Sequence, residues 1–381
     1  MEKIVKLSGN IDSSNVDEVE KNLRKEIGNF KGDLILDAFD LEYISSAGLR
    51  VILKLIKSNK TVKIINCNSK TYEIFDVTGF TEMMDIEKVY KEISVDGCEV
   101  IGEGAYGIVY RIDPETIVKV YKKQDSLKEI QQEIERAKRA FVLGIPTAIS
   151  YDIVKVGNLY GSVFEMLNAK SFSELIKQGE NFQRLVKESV AILKQIHSTE
   201  NKFKDLPNKK EEAIKWAKEC VPYLPKEIGE KLLKMMKDIK ETNTVIHGDF
   251  HVKNIMHLEK ENLLIDMETL AVGHPILELA CSYTIYEGFE CLDLNNPAQF
   301  LGISTEQCRK FMNLTYRYYF DELEDEEVEK IKQMVKIICY TRLLRRQIKH
   351  YGIDNKEAAA SIDFCKNYLI ENVPKIDKLY F

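Results

Sequence analysis

Hydrophobic residues in the first part of the chain, residues 1–93, follow two alternating patterns. Three short segments predict strands: KIVKLSG, with Ile4, Val5 and Leu7 apolar, the nearly continuous apolar run DLILDA, and VKIINC. Between them, apolar residues recur every third or fourth position, which predicts amphipathic helices; the clearest set is Val16, Val19, Leu23 and Ile27. Further helices are predicted over residues 47–57, 69–76 and 86–93. The alternation indicates an α/β unit in which helices cover a sheet.

The pattern changes after residue 97. Strands are predicted over residues 108–113 and 117–121, on either side of a D-P-E-T turn, and a helix is predicted from near Ser126. The last part of the chain, about 285–381, is helical. The only linker is S-V-D-G-C at 94–98, which is too short to act as a flexible tether. We therefore expect two domains, residues 1–93 and 97–381, with an α+β arrangement in the second.

Composition narrows the range of partners. The chain has 381 residues and a formal net charge of -6, so it lacks the basic surface typical of nucleic-acid binders, and no nucleic-acid partner is expected. No apolar run approaches the roughly 20 residues that span a bilayer, and MEKIVKLSGN lacks a signal-peptide core, so we expect no membrane association and a cytoplasmic location. Eight cysteines without C-x-x-C spacing predict reduced, mostly buried thiols.

Three motifs in the first domain resemble those of STAS domains, the anti-sigma-factor antagonists: L-x-G-x-I-D at 7–12, D-L-E-Y-I-S-S-A-G-L-R-V at 40–51 and T-G-F at 78–80. The resemblance implies a mixed sheet with helices and a regulatory protein partner. In that family a partner kinase phosphorylates a serine at a helix start, and alignment on Gly48 and Leu49 assigns this position to Ser46. A helix N-terminus suits a phosphate. The alternative is that Ser45 and Ser46 only cap the helix.

A glycine loop opens the second domain. Glycines 102, 104 and 107, followed by Val109, fit the G-x-G-x-x-G-x-V loop that covers ATP phosphates in protein kinases, which implies nucleotide contacts by Gly102, Gly104, Gly107 and Val109. Dinucleotide-binding folds carry a similar fingerprint, but a helix follows it there. Here a strand follows, which favours the kinase interpretation.

Two further segments complete the expected nucleotide site. Lys119 lies in the apolar strand I-V-K-V-Y and needs a partner for its charge. Nucleotide phosphates and a helical glutamate would supply it; Glu129, Glu133 and Glu135 are candidates, and we favour Glu133. The segment F-E-M-L at 164–167 corresponds in position to the kinase hinge, where Glu165 and Leu167 would contact the base. A buried strand explains that segment equally well.

The strongest motif is H-G-D-F-H-V-K-N at 247–254. It resembles the catalytic loop of the aminoglycoside and choline kinase-like phosphotransferases, which carry H-G-D where protein kinases carry H-R-D. The resemblance implies that Asp249 accepts or orients the hydroxyl proton and that Asn254 binds Mg²⁺, with Asp266 of L-L-I-D-M-E as a second metal ligand. A zinc site formed by His247 and His251 is the competing interpretation, and the glycine between them disfavours the helix that it needs.

Taken in chain order, these motifs imply a bilobal protein-kinase-like domain, with an N-lobe over about 97–167 and a C-lobe over about 168–381. ATP or GTP and Mg²⁺ are the expected cofactors, and a hydroxyl on a small molecule is the expected phosphate acceptor. Two alternatives stay open. The chain is a protein or self kinase whose target includes Ser46, or it is a non-catalytic nucleotide-sensing scaffold.

Two departures from the family pattern concern the C-lobe. The segment A-V-G-H-P-I-L-E-L-A at 271–280 resembles G-D-P-x-x-D-L-A, with His274 and Glu278 in place of two aspartates. Glu278 keeps the negative charge, whereas His274 does not, so we expect the contact made by the aspartate that His274 replaces to be lost.

Arg342, Arg345 and Arg346 lie in the C-terminal helical part of the chain. They either face an anionic substrate or pair with the acidic run at 321–327, and we favour the pairing.

Overall fold

A computed structural model describes residues 2–59, 61–104, 106–259 and 261–381. Its first sheet has the strand order β1-β2-β3-β4, with strands β1 Glu2–Ile11, β2 Asp33–Ile44, β3 Thr61–Cys67 and β4 Ile86–Lys88. The sequence predicted mixed strand directions. The hydrogen-bonded pairs among these strands are all parallel.

Three helices cover this sheet, and all three were predicted: α1 Val16–Ile27, α2 Ser46–Ser58 and α3 Ser69–Val77. The helices bury apolar side chains against the strands, where Val5, Leu36 and Phe75 are fully enclosed. Helix α2 approaches the sheet so closely that a Cβ atom on Gly48 would lie 2.7 Å from the Ile44 side chain and 2.8 Å from that of Ile11. The A-G-L turn therefore fixes how α2 docks.

Residues 86–93 do not form the predicted helix. Strand β4 is followed by a second short strand, β5 Lys91–Glu92. The apolar residues of this segment do recur at helical spacing, but Ile86 pairs with Ile64 in the first sheet and Lys91 pairs with Val154 in the second. Pairing with two sheets overrides the local pattern.

The second sheet has the strand order β5-β9-β10-β8-β7-β6. Its remaining strands are β6 Glu99–Glu103, β7 Gly107–Asp113, β8 Thr116–Tyr121, β9 Asp152–Val156 and β10 Leu159–Glu165. The predicted hairpin around the D-P-E-T turn is present as β7 and β8. Helix α4, Leu127–Val142, packs beside the sheet with Ile130 and Glu133 on its buried face.

The segment between the two sheets is bound to the second one. Strand β5 pairs in parallel with β9, and the Ile93 amide donates to the Lys155 carbonyl oxygen at 2.9 Å. Tyr90 packs edge-on against Tyr160, with 5.4 Å between ring centroids, and its hydroxyl accepts a hydrogen bond from Gln131 of α4 at 3.2 Å. The segment is therefore anchored on both the sheet and α4.

The C-terminal part is mainly helical. Its short strands are β11 Lys170–Ser171, β12 Val245–Ile246, β13 Ile255–His257, β14 Asn262–Leu264 and β15 Ala271–Val272. Its helices are α5 Phe172–Lys177, α6 Phe182–Ser198, α7 Lys209–Cys220, α8 Lys226–Lys237, α9 Pro275–Tyr286, α10 Asn296–Leu301, α11 Thr305–Tyr319, α12 Asp325–Tyr351 and α13 Ala359–Asn372. Helix α12 runs through the centre and buries Ile337, Leu343 and Leu344. Every helix in the described ranges is too short or too polar to traverse a lipid bilayer.

The anchored segment leads to a prediction about truncation. A chain that begins at residue 97 lacks β5 and Tyr90, whereas one that begins at residue 89 keeps both. Because half-buried aromatic and strand contacts are lost, we expect the shorter chain to be less stable by about 2 kcal/mol. Urea unfolding of both fragments measures the difference, and equal midpoints would show that the segment adds no stability.

Candidate active site

An ion pair is buried between the second sheet and α4. The Lys119 ammonium lies 2.8 Å from Glu133 Oε1, and the Tyr121 hydroxyl donates to Glu133 Oε2 at 2.7 Å. Glu133 is the buried one of the three candidate glutamates. Burial lowers the pKa of Lys119, but the negative charges of Asp266 and Glu133 outweigh it and leave the pKa above its usual value. The lysine is therefore held in its charged form.

The glycine loop continues from this pair. Gly102 pairs with Val109, and Val109 pairs with Lys119, so these residues lie side by side on adjacent strands. A Cβ atom on Gly107 would lie 2.8 Å from the Val120 carbonyl oxygen, so the hairpin itself requires this glycine. Cβ atoms on Gly102 and Gly104 would have no neighbour closer than 3.8 Å. Those two glycines leave open space that a ligand can approach.

The expected hinge follows β10. The Met166 amide donates to Glu115 at 2.7 Å, which closes the end of the strand pair. Next to it, the Leu167 amide has no hydrogen-bond partner in the described part of the chain, and its carbonyl oxygen accepts from Ala169 at 2.9 Å. The Glu165 side chain is exposed. A free backbone donor at this position can bond the edge of a nucleobase.

The H-G-D loop joins β12 to β13 and fixes Asp249 from several sides. Asn254 Nδ2 donates to the Asp249 carbonyl oxygen at 3.0 Å and to its Oδ2 at 3.4 Å, and His251 Nε2 lies 3.5 Å from the same Oδ2. Burial raises the pKa of Asp249, but the hydrogen bond and charge of His251 oppose it, and the pKa lies below its usual value. The carboxylate is therefore ionised at neutral pH.

The zinc interpretation has no support in this geometry. His247 Nδ1 accepts from the Asp249 amide at 3.3 Å, and its Nε2 faces the Ile265 carbonyl oxygen at 3.3 Å. His251 is directed at Asp249. Among the described residues, the only set of metal-ligating side chains that converge consists of carboxylates and includes no histidine. Both histidines act as structural residues of the loop.

Glu278 fixes the backbone of the H-G-D loop by hydrogen bonds. Its side chain is fully buried in α9, and its two oxygens accept hydrogen bonds from the backbone amides of His247 and Gly248. Burial raises its pKa, against the opposing effect of these donors. Gly248 has a φ of +84°, and a Cβ there would lie 2.6 Å from the Thr269 carbonyl oxygen, so only glycine fits between these neighbours.

His274 takes a different role from the aspartate it replaces. Its Nδ1 accepts a hydrogen bond from the Ile276 amide at 3.2 Å and caps α9, and its Nε2 faces the Phe381 carbonyl oxygen at 3.2 Å. A helix cap formed by the histidine ring therefore occupies the position at which the resemblance led us to expect an aspartate.

A group of carboxylates lies beside Lys119. Ligand atoms of Glu133, Asp266 and Glu268 all lie within 4.8 Å of one another. Asp266 adopts a left-handed conformation, with φ of 64°, and its Oδ1 is buried without a hydrogen-bond partner among the described residues. Asn254 is adjacent, since its carbonyl oxygen accepts from the Ile265 amide at 3.0 Å. Oxygen donors with one unsatisfied carboxylate oxygen fit a hard divalent cation.

Glu268 was not singled out by the sequence. Burial raises its pKa, and the neighbouring charges of Asp266 and Glu133 add to the effect. The spacing D-x-E was the available signal, but it became informative only with the left-handed turn at Asp266, which directs both carboxylates to one side.

The two serines of the first domain differ. Ser45 is the N-cap of α2, with its Oγ 3.4 Å from the Gly48 amide nitrogen. Ser46 is exposed in the first helical turn, and its hydroxyl has no partner in the part of the chain that the structure describes. Capping thus accounts for Ser45 and leaves the Ser46 hydroxyl accessible.

The expected pairing of the three arginines with residues 321–327 is wrong. Arg345 Nε donates to Glu219 Oε2 at 2.5 Å, Arg346 stacks on Phe289, and Arg342 stacks on Trp216. The acidic run contributes Asp321 to Lys194 instead, at 2.8 Å. Helix α12 directs the arginines toward α7 and the short 3-10 helix Gly288–Cys291, away from its own N-terminal end.

The sequence model of the phosphotransferase enzyme family matches residues 97–306, more than half of the chain. The chain belongs to the phosphotransferase enzyme family. The sequence model of the STAS domain matches residues 2–94. Over 84 residues the chain is 32% identical to BtrV of Bordetella bronchiseptica, which is named as an anti-sigma factor antagonist, and this match covers 21% of the chain and 72% of that protein. The phosphotransferase therefore carries an N-terminal STAS domain, and both resemblances are confirmed.

A solved structure agrees with the fold of the phosphotransferase. A thermostable mutant of aminoglycoside phosphotransferase APH(4)-Ia, in a ternary complex with AMP-PNP and hygromycin B, superposes with a TM-score of 0.50 at 11% identity, over 73% of this chain and 93% of that one. ADP-bound aminoglycoside phosphotransferase APH(2'')-Ib gives 0.49 at 18% identity, over 81% of this chain and 99% of that one. The predicted fold class, a STAS domain followed by a kinase-like domain, is confirmed.

The support under the H-G-D loop generates a prediction. Glu278→Gln replaces one acceptor oxygen with an amide donor that faces the donating backbone amides of the loop. We expect a loss of about 1–3 kcal/mol in stability and, because the loop shifts, of at least about tenfold in turnover. Chemical denaturation and steady-state phosphate transfer measure the two effects. Glu322→Gln, on an exposed side chain, is the matched control, and equal behaviour of both variants would contradict the assigned role.

Proposed function

We propose that this phosphotransferase is a kinase that uses ATP or GTP with Mg²⁺ to phosphorylate a hydroxyl group of a small molecule. The observation that carries the proposal is the arrangement of charges around Lys119, Asp266 and the H-G-D loop. A charged lysine is paired with a helical glutamate, a carboxylate with an unsatisfied buried oxygen lies beside them, and an ionised aspartate stands in the H-G-D loop. Phosphoryl transfer needs positioning and charge neutralisation more than covalent help.

Each part of the nucleotide has a candidate contact. Gly102, Gly104 and Gly107 supply a backbone that approaches the phosphates, and Lys119 neutralises them. The free Leu167 amide and the Glu165 backbone bond the base, and Val109 covers it from the sheet. Glu133 fixes the position of Lys119 and does not contact the nucleotide itself. The residues do not distinguish ATP from GTP, because backbone groups make the base contacts.

Asp266 and Asn254 are the candidate Mg²⁺ ligands, and Glu268 is a further carboxylate within reach of Asp266. Mg²⁺, when bound, neutralises the charge that develops on the phosphate oxygens. Asp266 is suited to the task because its buried Oδ1 lacks any other partner among the described residues.

Asp249 is the candidate catalytic residue. Its carboxylate accepts a hydrogen bond from the substrate hydroxyl, orients the oxygen toward the γ-phosphorus and takes the proton as the new P–O bond forms and the bond to the nucleotide breaks. Asn254 and His251 hold the carboxylate in one orientation, and Glu278 holds the backbone beneath it.

The STAS domain is proposed to regulate the kinase through the segment that joins them. Tyr90 packs in one cluster with Tyr121, Ile130 and Ile134. Tyr121 bonds Glu133, and both isoleucines flank Glu133 on α4. A partner that binds the STAS domain, or a phosphate on Ser46, would thus bias the helix that positions Lys119. By reciprocity, nucleotide would change affinity for that partner by the same factor.

The role of Asp249 is tested by Asp249→Asn. We expect nucleotide binding to persist while phosphate transfer falls by roughly 10²-fold or more, because the proton acceptor is lost. Asp266→Ala should lose turnover and also the Mg²⁺ dependence of nucleotide binding. Thermal shift with ATP and GTP measures nucleotide binding, and a phosphate-release assay measures turnover. Asp363→Asn, at an exposed position of α13, is the control.

Four outcomes, one of them measured as the mass of the intact protein, separate the alternatives. If neither nucleotide raises the melting temperature of the wild type, the kinase proposal is wrong. Binding without any turnover indicates a nucleotide-sensing scaffold, and a mass gain of one phosphate on the protein, lost in Ser46→Ala, indicates a self kinase. Turnover of Asp249→Asn at the wild-type rate rules out Asp249 as the proton acceptor.

The regulatory path is tested by Tyr90→Ala in the full chain. Loss of the ring removes support from α4, so we expect nucleotide affinity to fall severalfold, by an amount within the usual range of allosteric coupling, about 1–3 kcal/mol. Tyr90→Phe should keep most of the wild-type nucleotide affinity because the ring remains. Tyr43→Ala, at an exposed position of the STAS domain, is the control. Equal nucleotide affinity in all four proteins would make the segment a passive connection.

A further inference from the structure

Arg342 of α12 has no ionic partner among the described residues, although its side chain is not exposed. Arg345 pairs with Glu219, and the exposed Arg346 lies over Phe289. Within the described residues, no carboxylate lies within ion-pair distance of Arg342, and no hydrogen bond is made by its guanidinium. Its side chain is nonetheless mostly buried. A largely buried guanidinium whose N–H donors have no protein partner is uncommon, because charges inside proteins are normally paired.

Trp216 holds this arginine in a fixed position. The guanidinium carbon of Arg342 lies 5.4 Å from the Trp216 ring centroid, and the ammonium of Lys209 lies 5.5 Å from the same ring. Trp216 and Lys209 are both buried, at 3% and 6% exposure. Stacking on an aromatic ring orients the guanidinium and leaves the donors at its edge free. Two cations thus share one rigid aromatic platform.

The platform lies beside the catalytic loop. The Val272 amide donates to the Pro207 carbonyl oxygen at 2.8 Å, and β15, which contains Val272, pairs with β12 immediately before the H-G-D loop. A Cβ atom on Gly273 would lie 3.1 Å from Lys209 Cβ, so α7 starts in contact with β15. Helix α12, which carries Arg342, packs against both α7 and α9, and α9 carries the Glu278 that supports the H-G-D loop.

The carboxylates near this platform already have partners within the protein. Glu212 accepts from Lys209 at 2.7 Å, and its side chain is half exposed. Asp249 is bonded by Asn254 and His251, and Glu278 by the loop amides. Among the described residues, the donors of Arg342 are therefore left for a group that the protein does not itself supply.

We propose that Arg342, stacked on Trp216 and flanked by Lys209, binds an anionic group on the substrate, a carboxylate or a phosphate, while a hydroxyl of the same molecule meets Asp249. This inference rests on the proposed kinase function and names the substrate class of that site. Arg342 provides two parallel N–H donors, which match the paired oxygens of a carboxylate or phosphate. A cationic acceptor such as an amino sugar would meet like charge at this position.

A matched series of six-carbon probes tests the charge preference: gluconate, glucose 6-phosphate, glucose and glucosamine. Each is added to the full-length wild type, with and without Mg²⁺–ATP or Mg²⁺–GTP, and the melting temperature and nucleotide turnover are measured. We expect at least one of the two anions to bind at least tenfold more tightly than glucose, and glucosamine to bind no better than glucose. Gluconate and glucose 6-phosphate distinguish a carboxylate from a phosphate as the recognised group.

Variants assign the preference to Arg342. Arg342→Gln should raise the KM for the preferred anion at least tenfold with a smaller change in kcat, and Arg342→Lys should restore part of the affinity. Arg346→Gln removes a charge from the same helix and should change neither the KM for the preferred anion nor kcat. Melting temperatures without probe report any loss of folding in the variants.

Two results would overturn the proposal: no anion binds the wild type more tightly than glucose does, or Arg342→Gln leaves anion affinity unchanged. The arms without nucleotide separate this failure from failure of the kinase proposal. Nucleotide that stabilises the protein without anion selectivity overturns only the substrate class, whereas anion selectivity without any nucleotide binding overturns only the kinase.

Discussion

The burial of Lys119 is the constraint on which the N-lobe depends. An ammonium inside a sheet must be neutralised, and leaving it without a partner would cost about 3–5 kcal/mol. Glu133 meets this need only if α4 docks with one particular face toward the sheet. Tyr121 bonds the same carboxylate, and Ile130 seats the helix next to it. One charge on a strand therefore determines the position of a helix, and through Tyr90 the path of the chain from the STAS domain.

In the C-lobe, a single buried carboxylate likewise fixes the position of a functional loop. Glu278 uses one carboxylate to fix two backbone amides, so the H-G-D loop is held by an acceptor that does not itself face the cleft. Asp249 remains free to meet a hydroxyl, and its ionisation is favoured by His251. A group of carboxylates lies near Lys119, and a separate pair of cations lies on Trp216. Fixed charges of this kind suit a reaction that moves an anionic group between two oxygens.

The sequence predicted what short motifs and periodicity encode. Glu133, favoured because of its position ahead of A-F-V-L-G-I-P, is the glutamate that pairs with Lys119, and it lies on the inward face of α4 with Ile130 and Ala137. Prediction from sequence failed where contacts between distant parts of the chain determine the local structure. Residues 86–93 have helical spacing, yet pair with strands of two sheets. Arg345 finds Glu219 across 126 positions, a pairing that no local pattern reveals. Glu268 required the left-handed turn at Asp266, which is unusual for a residue other than glycine.

Strand β5 has a consequence beyond its two residues. It covers the outer side of β9, which would otherwise be the rim of the second sheet, with unsatisfied amides and carbonyls open to any other extended chain. Exposed rims of this kind invite self-association and aggregation. The segment that follows the STAS domain therefore acts as a guard strand. Its presence gives a physical reason for the two domains to remain on one polypeptide, since separation would leave the kinase-like domain with an unprotected edge.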